Sequence, residues 1–259
     1  MRRFVDLLFV LTIPTLTFGQ KAPASDPQAL SYAAHSIAAL TGGNAISDVT
    51  LTGSVTWTDS GSDTGTATLR ALGTGESRMD LALTSGTRTE IRDAQTGTPL
   101  GKWVNSDSTS GNFASQNCWT DPVWFFPALG SLAAGPNVVL SYIGQETRNG
   151  GIVQHIQSYF YDPNWPVGVT PTDQQLSTMD FYLDATALLP VAVTFNAHPD
   201  NNASTNLLVE IDFTNYQNVN GALVPMHVQQ YSQGNLSVDI VITGASFNTG
   251  LPLSIFAIS

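Results

Sequence analysis

The feature that most constrains this chain is a two-residue alternation of polarity. From Val49 to Thr58, the residues Val49, Leu51, Gly53, Val55 and Trp57 alternate with Thr50, Thr52, Ser54, Thr56 and Thr58. Successive side chains of an extended strand point to opposite faces, so this segment has one face for a core and one for water. The pattern recurs at Ala67, Leu69 and Ala71; at Met79, Leu81 and Leu83; at Met179, Phe181 and Leu183; and at Leu207, Val209, Ile211 and Phe213. It returns at Val224, Met226 and Val228 and at Leu236, Val238, Ile240 and Ile242. Short Gly-containing links separate neighbouring runs: Thr84-Ser85-Gly86-Thr87, Arg148-Asn149-Gly150-Gly151, Asn218-Val219-Asn220-Gly221 and Ser232-Gln233-Gly234-Asn235. Such links predict hairpins and antiparallel neighbours. The expectation is a mainly β chain with two short α elements (α+β). Its roughly ten or eleven strands are more than a flat open sheet tolerates, so the sheet curls.

Helix signals occur twice. Ser25-Asp26-Pro27 supplies a cap and a first-turn proline, and Leu30, Ala33, Ala34, Ile37 and Thr41 follow at helical spacing until Gly42-Gly43. Thr120 to Ala134 is the second candidate, interrupted by Pro127. Asn105 to Asn117 reads as a polar, mobile loop, and Asp162 to Gln175 carries Pro163, Pro166 and Pro171, which forbid regular pairing. Both loops are expected to border an opening.

Arg2 and Arg3 precede an apolar stretch from Phe4 to Phe18, the pattern of a secretory signal with cleavage after Gly19. The stretch is shorter than the roughly 20 residues of a membrane-spanning helix, so no stable membrane insertion is expected after cleavage. Residues 20–259 are read as a single domain, periplasmic or secreted. Removing Arg2, Arg3 and Asp6 leaves seven basic and nineteen acidic residues, a net of −12. That charge argues against nucleic acid and anionic membrane surfaces as partners. Cys118 is the one cysteine, so no internal disulfide exists; beside Trp119 it is expected to be buried and inert.

Catalytic chemistry is not legible. The histidines at 35, 155, 198 and 227 lack metal-ligand spacing, and Asp59-Ser60-Gly61-Ser62-Asp63 lacks the later ligands of a calcium loop and reads as a hairpin loop. There is no Gly-x-Ser-x-Gly elbow, phosphate-binding glycine loop or dinucleotide fingerprint. Glu210 and Asp212 share a strand face, which is read as solvated rather than as a glycosidase dyad. No enzyme activity, metal or cofactor is expected.

The densest apolar feature is Cys118-Trp119-Thr120-Asp121-Pro122-Val123-Trp124-Phe125-Phe126-Pro127. With the first helix, it is the material available to fill the concave side of the curled sheet. Two short helices are too little for so many strands, and the remainder is expected to be a lipophilic pocket. Its candidate lining is Val55, Trp57, Leu69, Leu81, Leu83, Trp119, Trp124, Phe125, Phe126, Leu129, Phe181, Phe195 and Phe213.

The run from Asp180 through Leu183-Asp184-Ala185-Thr186 to Leu189-Pro190-Val191-Ala192-Val193 resembles the strand, turn and strand of the outer-membrane lipoprotein carrier (LolA-like) superfamily. Val209 to Tyr216, Val219-Asn220-Gly221-Ala222-Leu223-Val224-Pro225 and Phe247-Asn248-Thr249-Gly250-Leu251-Pro252 are similar to its following strands and final stretch. The resemblance implies an unclosed β-barrel wrapped over helices, carrying a lipid or acyl-chain ligand across an aqueous compartment. The alternative is an envelope protein-interaction or sensor module with a fully packed interior and a protein partner. N-terminal sequencing of exported protein is expected to begin at Gln20; retention of Arg2 and Arg3 contradicts cleavage.

Overall fold

The computed structural model describes residues 23–258 except 59–60, 94–98, 121–136 and 162–169. The expected signal segment and nearly all of the Thr120 to Ala134 helix candidate therefore lie outside the described residues.

Thirteen strands form one antiparallel sheet, two or three more than the alternation alone predicts. The first six are β1 (Asp48–Trp57), β2 (Asp63–Leu72), β3 (Ser77–Leu83), β4 (Gly86–Asp93), β5 (Leu100–Val104) and β6 (Ser110–Asn112). The other seven are β7 (Val138–Arg148), β8 (Gly151–Phe160), β9 (Met179–Asp184), β10 (Pro190–Ala197), β11 (Leu207–Val219), β12 (Ala222–Ser232) and β13 (Asn235–Phe247). Their order is β6-β5-β4-β3-β2-β1-β13-β12-β11-β10-β9-β8-β7. Two meanders thus meet where β1 pairs with β13, and among the described residues β6 and β7 remain as unpaired edges, so the barrel is not closed.

The turn chemistry explains the hairpins. Asn149-Gly150, Asn220-Gly221 and Gln233-Gly234 have positive φ at both central residues, 50° and 80°, 52° and 91°, 49° and 78°. This is the type I′ geometry whose twist matches the flanking strands. At the fourth link Leu83 pairs with Gly86 across Thr84-Ser85. The Asp63 carboxylate accepts the N–H groups of Thr84 and Ser85 there.

Register carries the apolar face across the sheet. Leu51, Leu69 and Met79 stand opposite one another on β1, β2 and β3. Phe181, Val193 and Ile211 do so on β9, β10 and β11. Phe213, Val228, Ile240 and Val55 complete the row through β12 and β13 to β1. Each large apolar side chain fully buried here contributes roughly 1.5–3 kcal/mol. Leu236 departs from the alternation: it is exposed while Ser237 and Val238 are buried, because the register shifts between Gln230 and Tyr231.

Helix α1 (Pro27–Thr41) begins at Asp26, whose carboxylate accepts the N–H groups of Gln28 and Ala29, and ends at Gly42 in the left-handed region. Its buried face is Ala29, Ala33, Ser36, Leu40 and Thr41. Leu30 and Ala34, expected on that face, are exposed. Both sets have helical spacing. The rotation is fixed by tertiary contact, since the Asp26 N–H donates to the Leu140 carbonyl of β7 at 2.7 Å and Tyr32 packs on Tyr142 at 5.3 Å. At the other end, a Cβ on Gly42 would lie 2.2 Å from the Gly221 carbonyl oxygen at the β11–β12 turn. A 15-residue helix is about 22 Å long, close to five inter-strand spacings of about 4.8 Å. So α1 lies across the strands from β7 to β12.

One loop expectation is corrected and one is refined. Asn105 to Asn117 contains the edge strand β6, paired to β5 through Trp103 and Gly111, and a short 3-10 turn at Ser115–Asn117. A three-residue, Gly/Ser-rich edge is a usual way to blunt a sheet border. The proline-bearing segment gives way to helix α2 (Thr170–Ser177), since Pro171 excludes strand pairing but is tolerated in a first helical turn.

After β13 the chain is tied down by Asp48, which accepts from the Thr249 N–H at 2.8 Å, the Thr249 hydroxyl at 2.9 Å and the Gly250 N–H at 2.9 Å. Burial pushes this carboxyl up, but these donors and Ser47 outweigh it and hold it below the usual carboxylate range. Its contribution to stability is therefore present above the unfolded value of about 3.9 and is lost as pH falls below that. Asp48→Ala is expected to lower unfolding free energy at pH 7 by about 1–3 kcal/mol; an unchanged urea midpoint would contradict the anchoring role.

Candidate functional site

Eight of the thirteen candidate lining residues meet on the inner face of the curled sheet. Val55, Leu69, Leu81, Phe181, Phe195 and Phe213 belong to one contiguous cluster and are buried by the chain itself, with Trp57 and Leu83 half-buried against it. Strands β1 to β3 and β7 to β13 all contribute to that cluster; α1 adds Ala29, Ala33 and Leu40, with Tyr32 and Ile37 half-buried against it. Trp119 sits elsewhere on the same side, its ring 4.7 Å from that of Phe160 at the end of β8. Trp124, Phe125, Phe126 and Leu129 lie outside the described residues. Among the described residues a cleft of about 340 Å³ lies between Asn44, Ala45, Ile46, Asn220, Ala222, Phe247 and Asn248. It includes none of the candidate lining.

The topology forces a crossing. The first meander ends at β6 on one border and the second begins at β7 on the other, so residues 113–137 must travel between opposite edges. The described part, 113–120, runs along the inner side as a strap. The Phe113 N–H donates to the Gly101 carbonyl at 2.9 Å, and the Arg92 Nε of β4 donates to the Cys118 carbonyl at 2.9 Å. Asn117 then meets the loop after β10: its amide nitrogen donates to the His198 carbonyl at 2.8 Å while its oxygen accepts the His198 N–H at 2.8 Å. Gln116 donates to the carbonyls of Pro199 and Asp200.

This geometry measures the curl. β4 and β10 are seven places apart in the sheet, about 34 Å on a flat surface at about 4.8 Å per strand. Yet consecutive residues, 117 and 118, reach both. Cys118 is buried, as its position beside Trp119 suggests, with its sulfur 3.6 Å from the Ala114 carbonyl oxygen.

The alternation also hides a polar patch on the inner side. Leu81 stands opposite Arg88, and Met79 opposite Glu90, so the row Arg88, Glu90, Arg92 looks inward. Arg88 lies over the Trp57 ring at 4.4 Å, pairs with Glu90 at 2.6 Å and bonds Asn105. The two-residue loop at Thr84-Ser85 is the sequence signal that would have found these residues: it sets the register and hence the face of β4.

The outer face holds further ionisable groups, while His198 and His35 lie on the loop after β10 and on α1. His155 sits between Glu146 at 2.8 Å and Asp180 at 2.7 Å, and His227 lies 3.0 Å from Asp239. His198 is buried with Nδ1 3.0 Å from the Thr205 carbonyl oxygen, and His35 is exposed on α1. No group of three or more His, Cys, Asp or Glu among the described residues is arranged to hold a metal ion. Glu210 pairs with Arg148, whose guanidinium lies 4.1 Å over the Tyr182 ring. Asp212, beside them, is pushed up to about 6, first by burial and then by hydrogen bonding and charge from Glu210, against the opposing pull of Arg148. This is a half-buried ionic network on the convex side, away from the apolar face. Among the described residues, no helix is long and apolar enough to cross a membrane.

No protein-family model and no curated protein matches the sequence. Solved structures match the fold. An outer membrane lipoprotein-sorting protein domain from Vibrio parahaemolyticus is 14% identical with a TM-score of 0.56, over 88% of this chain and 95% of that one. A DUF1329 family protein from Desulfovibrio piger is 8% identical with a TM-score of 0.56, over 91% and 98%. A LolA superfamily protein from Nitrosomonas europaea is 11% identical with a TM-score of 0.53, over 89% and 97%. At such identities the likeness is one of fold, and the fold is LolA-like.

Because Asp212 has a folded-state value above its unfolded one, its ionised form weakens the native state. The stability it allows is full below about pH 4 and declines as pH rises through about 6. Asp212→Asn is expected to raise unfolding free energy at pH 7.5 by about 1 kcal/mol, after discounting for partial solvation, and to flatten its dependence between pH 5 and 7.5. A destabilised variant with unchanged pH dependence would contradict the assignment.

Proposed function

We propose that this chain is a non-catalytic carrier that shelters a lipid or lipid-linked ligand against the inner face of its half-barrel, in the periplasm or outside the cell. Residues 20–259 form a single LolA-like domain in this reading, and residues 1–19 are removed on export. The observation that carries it is a mismatch between floor and cover. The apolar inner face draws on ten strands. The described cover includes helix α1, whose buried face is mainly small side chains, and a strap held by hydrogen bonds at Arg92 and at residues 198–200. A cover of this kind is displaceable without dismantling the sheet.

The fold supports the reading, since two of the matching structures are a lipoprotein-sorting domain and a LolA superfamily protein. Sheltering an acyl chain is worth about 0.8 kcal/mol per methylene. A long chain therefore gains on the order of 10 kcal/mol before the costs of association are subtracted. Ligand entry must displace part of the cover, because six of the nine described candidate lining residues are already buried.

Native mass spectrometry and solvent extraction of the exported protein are expected to reveal copurified acyl lipid, and the delipidated protein is expected to take up a hydrophobic fluorophore. Leu83→Asp, at the half-buried border of the inner face, is expected to weaken that uptake about tenfold, equivalent to about 1.4 kcal/mol. If neither lipid nor fluorophore binds, the carrier reading fails and an envelope protein-interaction module with a packed interior takes its place.

A further inference from the structure

The tripeptide Asn-x-Ser/Thr, with x other than Pro, occurs twice in the sequence, as Asn202-Ala203-Ser204 and Asn235-Leu236-Ser237. In an exported chain it is the acceptor for an N-linked glycan, and a working acceptor sits on a surface loop. So permissive a motif recurs by chance, and the fold has to choose between the two. Asn202 lies in the loop 198–206 between β10 and β11, where Asp200, Asn201, Asn202, Ser204 and Thr205 are exposed. The base of this loop is fixed. Asn117 exchanges two hydrogen bonds with the His198 backbone, and His198 Nδ1 lies 3.0 Å from the Thr205 carbonyl oxygen. The tip is closed by local turns, with the Asn202 N–H donating to the Pro199 carbonyl at 2.9 Å and the Thr205 N–H to the Asn202 carbonyl at 3.2 Å. The Asn202 side-chain oxygen accepts the Ser204 N–H at 3.0 Å, the Asx turn that brings an asparagine amide beside the second residue after it. Its amide nitrogen donates to the exposed Thr205 hydroxyl at 2.8 Å, a bond that water can replace.

Asn235-Leu236-Ser237 is built differently. It opens β13, with Asn235 paired to Ser232 and Leu236 to Tyr231 of β12. On its other side the Thr58 hydroxyl donates to the Leu236 carbonyl, and the Thr58 N–H donates to the Ser237 carbonyl at 2.9 Å. Ser237 is 4% exposed. Its hydroxyl donates to the Gln230 carbonyl at 3.1 Å and accepts from the Gln230 amide nitrogen at 3.3 Å. The hydroxyl residue is what marks the asparagine as an acceptor, so reading this tripeptide in the folded chain requires peeling β13 from β12. Reading Asn202-Ala203-Ser204 breaks no strand pairing.

We infer that Asn202 is an N-glycosylation acceptor and that Asn235 is not. In the transfer, the Asn202 Nδ2 forms a bond to C1 of the first sugar of a polyprenyl-diphosphate-linked oligosaccharide. The bond from C1 to the diphosphate oxygen breaks, the lipid diphosphate leaves with the bonding electrons, and one amide proton passes to a base of the host oligosaccharyltransferase. The inference rests on the export of the chain and is independent of what the inner face binds.

Peptide mapping by mass spectrometry of the full protein purified from its native host tests this. The peptide containing Asn202 is expected to carry a sugar mass that deglycosylation removes, and the peptide containing Asn235 to be unmodified. Asn202→Gln and Ser204→Ala, each produced in that host, are expected to lose the glycan, Ser204→Thr to keep it, and Asn235→Gln to leave it unchanged. If the substituted chains do not accumulate, the wild-type map decides by itself. A bare Asn202 in protein that begins at Gln20, a glycan at Asn235, or a glycan that survives both Asn202→Gln and Ser204→Ala overturns the inference and leaves export standing. If the purified protein retains Arg2 and Arg3, the export reading fails and this inference with it.

Discussion

Everything in this architecture depends on the pairing of β1 with β13. It joins Val49 to Phe247 and Trp57 to Val238, residues about two hundred positions apart in sequence, across nine partnered positions. Every other pairing in the sheet joins strands that are consecutive in sequence. The β1–β13 ladder converts two separate meanders into one surface with a continuous apolar side. Such a contact closes a very long loop before it returns any hydrogen bond, so it is expected to form late in folding.

The same joint creates the functional geometry. With β1 and β13 at the centre, the free borders are β6 and β7, the two strands that the chain must connect. Crossing the inner side is the short route once the sheet has curled, and the hydrogen bonds of Asn117 and Arg92 mark that route. The strap is thus a consequence of strand order. It covers part of the inner face, and it places Trp119 against the end of β8.

Much of the fold was legible because its signals are local. Alternation assigned Val49, Leu51, Leu69, Met79, Leu81, Phe181, Ile211 and Ile240 to one face, and all are buried in one cluster. Asn-Gly and Gln-Gly links marked three turns that require positive φ. The readings that failed concern contacts between distant segments. Leu30 and Ala34 were as well spaced as Ala29 and Ser36, and only the hold of Leu140 on Asp26 chose between them. Leu236 lost its place to a register shift that no periodicity announces.

By itself, the sequence determined which residues alternate, where the chain turns back and that catalysis has no recognisable motif, because polarity and backbone preference act over two to four residues. Tertiary structure decided that Arg88, Glu90 and Arg92 look inward, and that residues 117 and 118 reach both the loop after β10 and Arg92 of β4, seven places away in the sheet. These are properties of the closed ladder and its curvature. They arise from distances between segments that lie far apart along the chain, and no local pattern encodes such distances.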